Sequence, residues 1–186
     1  MILKKAVITN FRGINGSITV NFDLFNCIVG QNDAGKSTIL KALDASLNET
    51  TLSRADYNVQ AQDNQIIVEL FFDCKNKQYL LGEEILTTIE SEELTNEENL
   101  LVWKKVWNVT ETNVSKPKTS IVRKKYNGTS DFISKTEAQL IAQCTANAIA
   151  TAKGNGEAYN NVEKREKLRE FNQQNNIAFT YEVEEI

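Results

Sequence analysis

One stretch limits what this chain can fold into: Gly30-Gln31-Asn32-Asp33-Ala34-Gly35-Lys36-Ser37-Thr38, which fits G-x-x-x-x-G-K-[ST]. Before it, Phe25, Cys27, Ile28 and Val29 form a short apolar run that predicts a buried strand. After it, Ile39, Leu40, Leu43 and Leu47 recur at helical spacing. A strand, a glycine loop and a helix are the setting in which this motif binds phosphate. Gly30 and Gly35 permit backbone turns that a Cβ would forbid, so several N–H groups can converge. With the positive end of the helix dipole they make a cradle for phosphate oxygens. Lys36 is expected at the β- and γ-phosphates, the Ser37 hydroxyl on Mg²⁺, and Thr38 at the α-phosphate. The alternative is a glycine-rich turn before an ordinary helix. Lys-Ser at this offset, between those flanks, favours the nucleotide.

Residues Met1 to Thr9 read as a first strand, with Ile2, Ala6 and Ile8 on one face and Leu3 and Val7 on the other. Asn10-Phe11-Arg12-Gly13 breaks it, and Ile18, Val20 and Phe22 alternate in a half-exposed second strand. Phe11 and Arg12 then lie where a base or phosphate could meet them; otherwise Phe11 is core and Arg12 a surface charge. Ser53 or Asp56 can cap a short helix. Gln65 to Asp73 is a strand rich in β-branched and aromatic residues. Glu83 to Glu98 carries seven glutamates and no basic residue, a pattern for a solvated helix or loop.

Leu101, Trp103, Lys105, Trp107 and Val109 alternate as a strand, and Thr119 to Tyr126 is its partner. This hairpin carries Lys104, Lys105, Lys116, Lys118, Arg123, Lys124 and Lys125. Such a face can track a phosphate backbone, which makes DNA a candidate partner; a solvated face balancing the glutamates is favoured. Ser134 with Glu137 reads as a capping box opening a helix that runs to about Thr151. Asn160 to Asn176 is a charged helix, and Ile177 to Val183 alternates as a last strand.

The 186 residues suffice for one domain with a core, and the net charge of −4 gives no overall footprint for nucleic acid. No apolar run reaches membrane-spanning length and the N-terminus lacks a signal peptide's apolar core, so a cytoplasmic protein without membrane partners is expected. Cys27, Cys74 and Cys144 form no C-x-x-C pair and read as buried free thiols. The chain has no histidine, which removes Ser-His and Cys-His nucleophile pairs and the usual zinc chemistry.

Hydrolysis needs more than the loop: a carboxylate to help hold Mg²⁺, a group to position water, and charge at the γ-phosphate. Asp73, at the end of an apolar strand, is the candidate acid, although Glu69 interrupts that strand and Cys74 follows where a catalytic Glu often stands. No Leu-Ser-Gly-Gly type signature occurs.

The N-terminal strand, Asn10-Phe11-Arg12-Gly13, the short hairpin, Phe25 to Thr38 and Leu40-Lys41-Ala42-Leu43 together resemble the opening of ABC-type ATPases of the RecF/SMC class. Asn32-Asp33 and Ser53-Arg54-Ala55-Asp56-Tyr57 are most similar to the OLD family, which includes the ATPase subunit of Gabija phage defence. The match is specific over about the first seventy residues and architectural beyond. It implies an α/β fold: a P-loop NTPase, ABC-type N-terminal lobe, with a mixed sheet around the loop helix, an antiparallel hairpin region and C-terminal helices. The expected division is a single lobe, with a core over 1–75, an acidic segment and basic hairpin over 76–130, and a helical segment over 131–186.

By position, the resemblance assigns Gly30, Asn32, Asp33, Ala34, Gly35, Lys36, Ser37 and Thr38 to ATP and Mg²⁺, and Arg12 to a nucleotide contact after the first strand. Gln139 and Gln143 are candidates for the family's glutamine loop by distance along the chain. In that family the signature motif, an Asp-Glu pair and a histidine switch come later in the chain, and ATP is held between two heads. A second ATPase head or a homo-oligomer is therefore the implied partner. As the sequence stops before those elements, the expectation is an ATP-binding lobe in phage defence or DNA repair that is incomplete for hydrolysis. The rival readings are a compact NTPase or kinase using Asp73, and a non-enzymatic lobe that docks on a full-length ATPase and blocks it.

Overall fold

The computed structural model describes residues 1–30, 35–48, 50–75, 77–80, 86–127 and 132–186. They form two compact units, one of residues 1–74, 98–122 and 183–186, the other of residues 75–97 and 123–182.

The first unit is built on strands whose alternation separates a buried face from an open one. Strand β1 (Ile2–Thr9) pairs antiparallel with β2 (Ser17–Asn21) through a tight loop. Helix α1 (Lys36–Leu47) follows, and then β3 (Gln65–Asp73), antiparallel to β1. On β3, Ile66, Val68 and Leu70 are wholly buried. Glu69 faces the other way and lies opposite Lys104, 3.1 Å from its ammonium group. The glutamate that breaks the apolar run is thus the outer half of a cross-strand ion pair. Two short strands, β4 (Gln78–Leu80) and β5 (Leu86–Thr88), pair with each other in the second unit. Strand β6 (Leu101–Asn108) pairs antiparallel with β3 and with β7 (Lys118–Tyr126).

In the second unit, α2 (Glu137–Ala146) and α3 (Asn161–Gln174) pack through Leu140, Cys144 and Leu168, with Phe132 beside them. Strand β8 (Phe179–Glu185) closes the sheet, whose order is β2-β1-β3-β6-β7-β8. The core of the first unit collects Ala6, Ile8, Phe11, the β3 residues, Trp107 and the inner face of α1, Ala42 and Ala45.

Three expectations are corrected. The segment Phe25–Val29 is not a strand. Residues 22–30 join no sheet, and Leu24, Phe25 and Val29 are more than four-fifths exposed. A strand needs a neighbour for its N–H and C=O groups, and among the described residues this one has none. The fold class is the expected α/β one, and the pairings of known register are all antiparallel. Cys27 shares this fate and is exposed, whereas Cys74 and Cys144 are buried. The second helix is capped by Thr136, not Ser134: Gln139 N–H donates to Thr136 Oγ1 and Thr136 N–H to Gln139 Oε1. It also ends earlier, at Ala146.

Candidate functional site

Helix α1 begins directly after Gly35, whose φ of +83° lies in the left-handed region that a side chain disfavours. Thr38 and Ile39 N–H groups donate back to the Gly35 carbonyl, at 3.0 and 3.3 Å, which tightens the first turn. No side chain among the described residues caps this helix end, and its first turn holds no acidic residue. Among the described residues its partial positive charge is therefore not answered by a carboxylate of the first turn.

Lys36 is the first helical residue and is half-buried, with Nζ donating to the Gly30 carbonyl at 2.6 Å. The ammonium group thus reaches back across the mouth of the loop, from one glycine edge to the other. Ser37 is exposed and Thr38 buried, so the two hydroxyls lie on different sides of the first turn. Asn32, Asp33 and Ala34 lie outside the described residues. The features present fit an incoming triphosphate: a glycine in the required backbone region, an uncapped helix start and a cation held over it.

Arg12 follows β1 in a tightly specified turn. Asn10 and Arg12 both have positive φ, at 56° and 52°. The Arg12 N–H donates to the Asp56 carbonyl at 2.8 Å, and Asn58 Nδ2 donates to the Arg12 carbonyl at 2.7 Å. The Arg12 side chain donates through Nε and a terminal nitrogen to Asp56 Oδ1, at 2.9 and 2.6 Å. The other carboxylate oxygen accepts from the Ser53 N–H and hydroxyl, at 2.9 and 3.0 Å. Ser53, one of the two predicted caps, opens the 3₁₀ turn Arg54–Asp56, and Asp56 closes a capping box with it. What the sequence did not reveal is that the same carboxylate orients Arg12, 44 residues away. Phe11 takes the core reading, 1% exposed and bridged to Tyr57.

Burial pushes the Asp56 carboxyl up, but the Ser53 bonds and the Arg12 guanidinium outweigh it and hold the group below the usual carboxylate range. Its contribution to stability is present above the unfolded-state value and is lost as pH falls through the lowered folded value. Replacing Asp56 with alanine should cost about 2 kcal/mol, read as a lowered urea midpoint at neutral pH, with a smaller loss for Asp56→Asn. A change under about 0.5 kcal/mol would mean that the turn stands without the carboxylate.

Asp73 ends β3 and pairs with Ile2, whereas Arg12 follows Thr9 at the other end of β1. The ends of β1 are about 23 Å apart at ~3.3 Å per residue, so Asp73 and Arg12 are not brought to one phosphate group. Gln139 is committed to capping α2, and Gln143 lies one turn further along that helix in the second unit.

The basic hairpin is largely neutralised. Lys104 pairs with Glu69 and Lys118 with Glu185 in the first unit; Lys124 pairs with Glu93 and Lys125 with Glu182 in the second. Among the described residues no helix is long and apolar enough to cross a membrane.

No curated protein matches this chain. The family model described as the AAA ATPase domain matches residues 1–185, so nearly the whole sequence is covered. The glycine loop, the lysine across its mouth and the uncapped helix behind it are the features such a domain uses to hold ATP. This chain belongs to the AAA ATPase domain family, and ATP is the ligand that membership implies.

Proposed function

We propose that the chain is the ATP–Mg²⁺-binding lobe of an OLD/RecF-like ATPase, acting in phage defence or DNA repair and completed for hydrolysis by a second head. The observation that carries this reading is the segment leading into the loop. Leu24, Phe25 and Val29 are exposed and unpaired, and Leu40 and Leu47 on α1 are more than half exposed. Leu24, Phe25, Val29 and Leu40, in the segments that flank the phosphate loop, offer apolar surface that a partner lobe would cover. With a neighbouring strand supplied from elsewhere, residues 25–29 would gain the ladder their composition calls for.

In this scheme the loop amides and Lys36 bind the phosphates, Ser37 takes a site on Mg²⁺, and Arg12, held by Asp56, meets the nucleotide. The bound Mg²⁺ neutralises charge on the phosphate oxygens. The signature motif and the catalytic acid come from the partner. Asp73 is left out, because the fold sets it at the far end of β1 from Arg12.

The test is nucleotide binding and turnover by the purified chain. Binding of ATP–Mg²⁺ in the micromolar range with turnover no faster than background supports the lobe reading. Turnover that is abolished by Asp73→Ala would overturn it in favour of a self-sufficient enzyme. Adding a full-length OLD-type ATPase then separates a productive partner, which raises turnover, from a blocking lobe, which lowers it.

A further inference from the structure

Lys105 stands where a strand should carry an apolar residue. On β6, Trp103, Lys105 and Trp107 share one face, with Trp107 1% and Lys105 8% exposed. A buried ammonium group ordinarily takes a carboxylate or several hydrogen bonds. Lys105 has one, to the Asn48 carbonyl at the end of α1, and at 3.4 Å it is long for an N–H···O bond. Among the described residues no carboxylate lies within 4.0 Å of its Nζ. Asp44, one turn before Asn48, is occupied by Asn48 Nδ2 at 2.6 Å and Thr50 Oγ1 at 3.0 Å. Capping the negative end of α1 uses one of the three donors of Lys105.

Lys105 also lines a cavity. It measures about 510 Å³ and is lined by Lys105, Trp107, Leu52, Thr50, Lys116 and Pro117, among others. Its volume is in the range of small-molecule sites, and its walls mix apolar side chains with hydroxyl, amide and ammonium groups. Lys116 at its rim is exposed and likewise has no carboxylate within 4.0 Å among the described residues. Among the described residues the cavity thus has two cations, one of them buried with a single long hydrogen bond, and no carboxylate within 4.0 Å of either.

We propose that this cavity binds a small organic anion, with a carboxylate or phosphoryl group on Lys105 and an apolar portion against Trp107, Leu52 and Pro117. Lys116 adds the second charge at the entrance. The site lies at the C-terminal end of α1, a helix of 12 residues whose other end carries the phosphate loop. At ~1.5 Å per residue about 18 Å separates the two ends, so the proposal stands independently of the nucleotide site.

Calorimetric titration of the full chain tests it, with benzoate and inorganic phosphate as probes and neutral benzamide as control, in buffer free of other oxyanions. Benzoate or phosphate should bind with a Kd of about 1 mM or tighter, and the stronger of the two identifies the head group. Lys105→Met should weaken that binding about tenfold or more, and Lys116→Met roughly threefold. Lys104→Met, on the opposite face of β6 and paired with Glu69, should leave it unchanged. The proposal fails if neither anion binds at ~10 mM, if Lys105→Met binds as well as the parent, or if benzamide matches benzoate. The benzamide arm uses the unaltered chain, so it decides even if Lys105→Met does not fold. ATP affinity, measured alongside, should not change with either lysine replacement.

Discussion

Replacing Lys36 with alanine should weaken ATP binding by about a hundredfold, at the upper end of what charge-assisted hydrogen bonds to two phosphates contribute. The ammonium group is the one charged side chain that the described structure places across the loop, on the Gly30 carbonyl at 2.6 Å. An arriving triphosphate would compete with that carbonyl for the same donors. Lys36→Arg tests geometry separately from charge: its planar fork should recover only part of the affinity, since it cannot replace a compact ammonium group atom for atom. Equilibrium titration with a fluorescent ATP analogue, with and without Mg²⁺, is the measurement. A loss of less than threefold for Lys36→Ala would refute the phosphate-loop assignment, whatever the family match.

The second large effect lies in the other unit. Glu92 is 3% exposed and receives two guanidinium groups. Arg165 donates to it at 2.9 to 3.3 Å and Arg169 at 2.6 Å. Arg165 is 2% exposed and Arg169 6%, so the charges are removed from water on both sides. Glu92→Gln keeps the shape and removes the carboxylate that the two buried guanidinium groups share; Arg169 retains the Ser91 carbonyl at 3.0 Å and Glu93 at 3.5 Å. The expected cost is about 3–5 kcal/mol. For a chain of this size that is a fall in melting temperature of roughly 10 °C. Replacing all three residues together, with Glu92→Leu, Arg165→Met and Arg169→Met, should cost much less than the single change, because a packed apolar trio needs no counter-charge. If the single and triple variants melted alike, the loss would be one of packing and not of charge.

The same group sets an acid limit. Burial pushes the Glu92 carboxyl up, but the hydrogen bonds and charges of Arg165 and Arg169 outweigh it and hold it below its ordinary value. The stability it contributes is full above the unfolded-state value and is lost as pH falls through the lowered folded value. Glu92→Gln should therefore flatten the acid limb of a melting-temperature profile as well as lower its plateau.

Much of this architecture could be read from the chain. Strand β3 has the ends the alternation predicts, Gln65 and Asp73, because burial on one face imposes a period of two on neighbouring residues. Ser53 as a cap was legible because capping is local, whereas its reciprocal bond with Asp56 was not read. The Lys36 motif is also local, a loop whose geometry is written in its own glycines. The second helix start was misplaced by two residues, since Ser134 and Thr136 offer the same chemistry and only packing chooses between them.

The sequence by itself determined most of the element types and the membership of an ATPase family, because each depends on residues close together in the chain. The tertiary structure alone decided three further matters, each through a distant partner. It joined Arg12 to Asp56, left the apolar run Phe25–Val29 outside the sheet, and turned Lys105 inward beside Trp107. The first and third follow from which strands and turns lie side by side; the second follows from the lack of a neighbouring strand among the described residues, and a peptide group with no partner across a ladder gains nothing from being extended.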